Sequence, residues 1–221
     1  MIRNDPAGVP IYEPRRLPRY ETIRLRDHDM HLTRWGPDAD PAARESPVLL
    51  LHGFLDTAAT FQFLVDEFAG ERPLIGLDWR GFGRSEWSSG GYWFHDYLAD
   101  LDALIDRLCG GIPARIIGHS MGGNVAMLYA GLRADKVRSI VNLEGFGLPR
   151  SAAHQAPAQI RKWLDQVKSV PIVKPYDSVD QLCAIVAFRY PRFTPAQARF
   201  LAAAWSEGAA TGVELLGDPR H

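Results

Sequence analysis

The chain has 221 residues, 46% of them hydrophobic and 23% charged, with a formal net charge of −1. That length buries roughly 70% of the surface of the unfolded chain, enough for one large domain, and the near-zero charge excludes a global field drawing it to nucleic acid or an anionic membrane. The N-terminal MIRNDPAGVPIYEPRRLPRY has no apolar stretch of signal-peptide type, and no later run approaches the roughly 18 apolar residues of a spanning helix, so a cytoplasmic protein is the expectation.

Residues 1–18 carry Pro6, Pro10, Pro14 and Pro18, the composition of an extended arm. YETIRLRD and HDMHLTRW alternate polar and apolar around Asp27 and His28, which predicts a two-stranded hairpin at the edge of a sheet. The rhythm then changes. PVLLLHG, RPLIGLDW, ARIIGHS and VRSIVNLEG are short continuous apolar runs of the kind buried on both faces. Helical spacing separates them, in Phe61, Leu64, Val65 and Phe68 before Gly70, in Phe94, Leu98, Leu101, Ile105 and Leu108 before Gly110, and in Val125, Leu128, Tyr129 and Leu132. Strands alternating with helices predict an α/β protein with a mostly parallel sheet of about six strands.

After Gly147 the strand rhythm stops. Ile160, Trp163, Leu164 and Val167 form one helical stripe, Ser178 with Gln181 opens a second helix, and Thr194, Pro195 and Gln197 open a third that Gly208 is expected to end. The expected organisation is a core over 1–147 and a helical cap over 148–221. Cys109 and Cys183 both fall inside helical patterns and are read as buried thiols, not as a disulfide or zinc site. No metal-binding or dinucleotide pattern is present, so no cofactor is implied.

RIIGHSMGGNVAMLYA, residues 115–130, places Ser120 between Gly118 and Gly122, after a strand and before a helix. A sharp turn of this kind lifts a hydroxyl clear of the sheet, its small flanking residues let strand and helix approach, and the helix N-terminus adds a positive dipole end. Ser120 therefore reads as a nucleophile; the alternative is a capping serine in a glycine-rich turn.

With HGF at 52–54, DWRGFGRS at 78–85 and GHSMGG at 118–123 in that order, residues 19–147 resemble the α/β-hydrolase superfamily. The resemblance implies an oxyanion hole from the backbone amides of Phe54 and Met121. It gives supporting roles to His52, Gly53, Gly118, His119 and Gly122, and to Asp78, which with Arg80, Arg84 and Ser85 would hold its loop together. A serine rather than an aspartate in the elbow argues against the epoxide-hydrolase and haloalkane-dehalogenase branches.

The triad order in this fold is nucleophile, acid, histidine. Glu144, at the end of VNLEG, occupies a place where some members carry the acid, and reads either as orienter of the base or as a structural or pocket-lining carboxylate. His28, His31, His95 and His154 do not match the position of the family's histidine, and His221 comes too early for it. The seventh and eighth strands are then expected in a longer chain or a second polypeptide, leaving the sixth strand as an apolar edge. Such a chain taken alone is expected to be marginally stable or to self-associate.

The implied reaction is acyl transfer to water through an acyl-enzyme at Ser120, on a small apolar ester. Trp163, Phe188, Phe193, Phe200 and Trp205 are expected to roof the pocket or to fill the cap's own core. Thioester or carbon–carbon bond cleavage by the same residues stays open. So does a catalytically silent protein that binds a small ligand or partner.

Overall fold

The computed structural model describes residues 8, 10–38, 45–147, 152–166, 168 and 173–221. Pro6 of the arm and Val167 of the first stripe after Gly147 lie outside the described residues.

The expected hairpin forms β1 (Arg19–Leu25) and β2 (His28–Trp35), paired antiparallel in register across the Arg26–Asp27 turn. The four apolar runs form β3 (Val48–Leu51), β4 (Leu74–Leu77), β5 (Ala114–His119) and β6 (Val137–Leu143). The sheet order is β1-β2-β4-β3-β5-β6; β2 meets β4 antiparallel, while β4, β3, β5 and β6 run parallel.

Both faces of the sheet are covered, which is why these strands read as continuous apolar runs. Leu49 and Leu51 of β3 and Ile75 and Leu77 of β4 pack with α2 (Phe94–Cys109) and α3 (Met121–Leu132). Val48 and Leu50 of β3 and Leu74 of β4 pack the other way, with Trp35, Phe61 and Val65 beside the short α1 (Gln62–Glu67). Gly110, in left-handed conformation at φ 56°, ends α2 where expected. The arm is pinned: the Tyr12 hydroxyl and the Arg16 amide both donate to Asp66 of α1, at 2.5 and 2.9 Å.

Among the described residues β6 lies at one edge of the sheet, with β1 at the other, and its Val141 is half exposed, as are Leu128 and Leu132 of α3. The edge position is the expected one, while the exposed residues of β6 itself are Arg138, Ser139 and Asn142 beside Val141.

Beyond Gly147 the three expected helices are α4 (Ala156–Gln166), α5 (Val179–Arg189) and α6 (Pro195–Ala204). Ser178 and Thr194 cap α5 and α6 as their spacing predicts, each accepting from the amide three residues on. Of the two readings of Trp163, pocket roof or cap core, the second is not what is built: Ile160, Trp163 and Leu164 stay 56%, 38% and 46% exposed, and Trp163 rests on Trp93 with ring centroids 4.7 Å apart.

The third helix does not run to Gly208 but ends at Ala204, and β7 (Ser206–Gly208) and β8 (Val213–Leu215) form an antiparallel ribbon. The ribbon is fixed by distant partners. Tyr176 and Val213 exchange both backbone bonds, and Gly212, at φ 80°, passes so close to the Tyr176 carbonyl that a Cβ would sit 1.9 Å from it.

α5 and α6 enclose their own small core of Leu182, Val186, Ala198, Leu201 and Trp205, joined by Phe193 and Phe200 but not by Phe188, which is 90% exposed. Cys109 is buried, and burial pushes its thiol up to about 11; Cys183 is only partly buried, which corrects the expectation for it. Among the described residues no helix is long and apolar enough to cross a membrane.

Candidate active site

The carboxyl ends of β3, β5 and β6 converge, and each carries one predicted element: the His52–Phe54 loop, Ser120 and Glu144. Crevices at the carboxyl ends of parallel strands are where sheets of this kind bind ligands.

Ser120 stands between β5 and α3 at φ 48°, ψ −110°, an uncommon conformation for a side-chain-bearing residue. Three backbone bonds hold it there: Ser120 N to Leu143 O at 2.8 Å, Gly122 N to His52 O at 3.1 Å, and Asn124 N to Ser120 O at 3.0 Å. The flanking glycines are demanded by close approach. A Cβ on Gly118 would lie 2.7 Å from the Gly122 carbonyl, and one on Gly122 would lie 2.2 Å from the Leu51 oxygen. The Ser120 side chain makes no capping bond, so the capping-serine alternative is not what is built here.

Gly53 brings the β3 loop onto this turn; a Cβ there would lie 3.3 Å from the Ser120 Cβ and 2.9 Å from His119 Nδ1. The bonds that tie the turn leave out the amides of Phe54 and Met121, and the Met121 amide opens the 12-residue α3, at the positive end of its dipole.

His52 is fully buried and both ring nitrogens are used: Nε2 accepts from the Trp79 amide at 3.0 Å, so the proton is on Nδ1, donated to the Gly53 carbonyl at 2.7 Å. It braces the loop. Asp78 is likewise a hub, accepting from the Ala58 amide at 2.7 Å, His31 Nδ1 at 3.0 Å and the Arg84 amide at 3.1 Å. Burial works to raise the Asp78 carboxyl, but the bond from His31 and the nearby His52 keep it below the usual carboxylate range. The rest of its loop is closed by Ser85, whose hydroxyl donates to the Asp78 carbonyl at 2.6 Å, and by Arg80, clasped by Asp100 through two bonds of 2.6 Å.

His119 Nδ1 stands 3.8 Å from Asp56 Oδ2. Asp56 holds the His119 imidazole above its ordinary value against the opposing pull of burial, and the charge of Glu144 adds to the rise. Glu144 is exposed at φ 61°, at the end of β6, in a loop clipped by Asn142, whose side chain exchanges two bonds with Gly145. Burial first, then Asp56 and Glu144, push the Tyr190 phenol up. Glu144 therefore shares one electrostatic environment with His119 and Tyr190.

Asp56 and Tyr190 were not read from the sequence. Asp56 lies four residues after His52, a spacing that carries no signal without the fold; Tyr190 reaches the site only because α5 folds back.

His28 pairs with Asp27 and His31 with Asp78, while His221 is sandwiched between Phe82 and Tyr92 at centroid distances of 3.8 and 3.7 Å. Burial pushes the His221 imidazole down to about 4. Among the described residues no cluster of three or more His, Cys, Asp or Glu could hold a metal ion.

Residues 46–176 match the family model described as the alpha/beta hydrolase fold. The chain belongs to the alpha/beta hydrolase family. Serine hydrolase-like protein of Danio rerio is 34% identical over 137 residues, covering 61% of this chain and 40% of that protein. Lipase LipV of Mycobacterium tuberculosis is 36% identical over 117 residues, covering 52% and 41%.

The chain thus spans about two fifths of the length of these alpha/beta hydrolase relatives. Among solved structures, the thioesterase domain from the curacin biosynthetic pathway superposes with a TM-score of 0.79 at 23% identity, covering 92% of this chain and 73% of that one. E-2-(acetamidomethylene)succinate hydrolase gives 0.71 at 22%, covering 92% and 70%. At that identity the two structures speak for the fold alone.

Proposed function

We propose that this chain carries the nucleophile half of a serine hydrolase acting on small, fairly apolar carboxylic esters in the cytoplasm. The observation that carries the reading is the backbone of Ser120: a side-chain-bearing residue held at positive φ between a strand and a helix, with glycines enforced on both sides and no capping bond. Strain of this kind, about 1–3 kcal/mol, persists where the surrounding structure over-determines it and clusters at functional sites.

Ser120 Oγ attacks the ester carbonyl as the base takes its proton, the Phe54 and Met121 amides bind the oxyanion, the C–O bond breaks and the alcohol leaves with that proton, and water then attacks the acyl-enzyme to release the acid and restore Ser120. Glu144 orients the histidine that accepts the Ser120 proton. His52 and His119 are not that base, since the first has both nitrogens bonded and the second faces Asp56. The base comes with polypeptide that pairs along β6, whose outer residue Val141 and the neighbouring α3 residues Leu128 and Leu132 form an apolar edge suited to such cover. That polypeptide is a completing C-terminal segment, on a longer chain or on a second polypeptide. Residues 148–221 act as the cap over the 1–147 core.

The test is turnover of p-nitrophenyl butyrate by the protein isolated from its source, beside its Ser120→Ala variant. The variant is expected to fall to the residual rate left by the oxyanion hole and binding; equal rates in the two proteins would sink the proposal.

A further inference from the structure

The Phe54 amide assigned to the oxyanion belongs to the Gly53–Phe54 peptide, and the other end of that peptide is anchored: its carbonyl accepts from His52 Nδ1 at 2.7 Å. A peptide unit is planar, so the direction of the N–H is settled once the Phe54 side is held as well. The chain is strained there. Leu55 takes φ 54°, uncommon for a residue with a side chain, and such angles persist only where the surroundings over-determine them.

The Phe54 ring supplies that second anchor. It meets Phe82 and His221 nearly at right angles, with centroids 5.6 and 6.0 Å away. Those two rings stack on each other at 3.8 Å, and Tyr92 covers the other face of His221 at 3.7 Å. The segment after β8 delivers the imidazole: the Leu216 carbonyl accepts from the Gly83 amide at 2.7 Å, the Asp218 amide donates to the Gly81 carbonyl at 2.8 Å, and the Asp218 carboxylate accepts from the Tyr92 hydroxyl at 2.6 Å. Gly81, at φ 76°, leaves the space, since a Cβ there would overlap both the His221 and Tyr92 rings. With its imidazole pushed down to about 4 by burial, His221 is an uncharged aromatic plate at neutral pH, and what it gives Phe54 is packing.

We propose that His221 is a positioning residue of the oxyanion hole: with Phe82 it seats the Phe54 ring, and the seated ring aims the Phe54 amide at the oxyanion. The proposal rests on the ester-hydrolase reading above. Without the imidazole, the Phe54 ring loses one of these two partners and Leu55 relaxes toward ordinary angles, which swings the N–H aside while His52 keeps the carbonyl. The bond to a charged oxyanion depends on that aim far more than ester binding does, so the loss falls on the transition state.

The experiment is hydrolysis of p-nitrophenyl butyrate by the full-length protein and its variants, with kcat counted per site titrated by a fluorophosphonate, so that unfolded protein does not enter. His221→Ala is expected to lose about tenfold in kcat at unchanged KM, a part of the hundredfold or more that removing an oxyanion donor costs. Inhibition by a butyl trifluoromethyl ketone, whose carbonyl takes up Ser120 Oγ and becomes the same oxyanion, is expected to weaken by the same factor. His221→Phe restores both, and His221→Ala adds nothing to Phe54→Ala, which has already emptied the seat. A His221→Ala protein within about twofold of wild type in both readings, a loss that His221→Phe leaves in place, or a full loss on top of Phe54→Ala overturns the proposal. If His221→Ala does not fold, Phe54→Ala decides, because its ring is half exposed: a kcat lower by about tenfold supports the seat, and a wild-type kcat overturns it. No adduct on Ser120 of the unmutated protein refutes the hydrolase reading and the proposal with it; an adduct with kcat unmoved in His221→Ala refutes the positioning role alone.

Discussion

Replacing Ser120 by glycine should make the protein more stable than replacing it by alanine. In most of a fold the reverse holds, because glycine has more backbone freedom to lose, by about 0.5–1 kcal/mol. Here alanine keeps the Cβ at φ 48°, ψ −110° and with it the strain of about 1–3 kcal/mol, whereas glycine adopts the same angles freely. The hydroxyl enters neither side, since it makes no capping bond. The difference leaves Ser120→Gly ahead by about 1 kcal/mol, or about 2–4 °C in Tm for a chain of this size. Thermal unfolding of the two variants side by side, followed by circular dichroism, measures it. A Ser120→Gly Tm at or below that of Ser120→Ala would refute the claim that the elbow stores strain.

Asp78→Asn should cost about 2–4 kcal/mol in chemical denaturation, because its amide nitrogen would face either the Ala58 amide at the Oδ1 position or His31 and the Arg84 amide at the Oδ2 position, donor against donor in a buried hub. His221 predicts a pH dependence. Its folded value of about 4 lies below the ordinary 6.5, so the unfolded chain takes up the proton first as pH falls. The stability present above pH 6.5 is then lost between 6.5 and 4, by about 2 kcal/mol once partial solvent contact is allowed for. His221→Phe, which keeps the stack between Phe82 and Tyr92, should flatten that slope in denaturant melts at pH 7 and pH 4.5. Glu144→Gln should lower kcat for a small ester while leaving KM near its original value; steady-state kinetics with a wild-type kcat would place the acid elsewhere.

The strands were legible because burial on both faces forces continuous apolar runs, and α2 and α3 because one face of each meets the sheet. The elbow was legible for a related reason: glycine at 118 and 122 is dictated by backbone contacts at 2.7 and 2.2 Å, a local constraint that leaves a local mark. What was not legible depends on distant partners. The β7–β8 ribbon has three-residue strands with no usable period, and is set by Tyr176 some forty residues from its pairing partner Val213. The α4 stripe has helical spacing, but spacing does not say whether a partner covers it. Asp56 and the stacked His221 acquire their surroundings only when the loop after β3 and the segment after α6 close on the core.

The central claim is that Ser120 is an activated nucleophile, and a fluorophosphonate tests it most directly. The protein isolated from its source would be weighed intact before and after exposure, and the modified peptide sequenced. The account predicts one stoichiometric adduct on Ser120, absent from Ser120→Ala. No adduct on a folded protein, or an adduct that persists in Ser120→Ala, would contradict it.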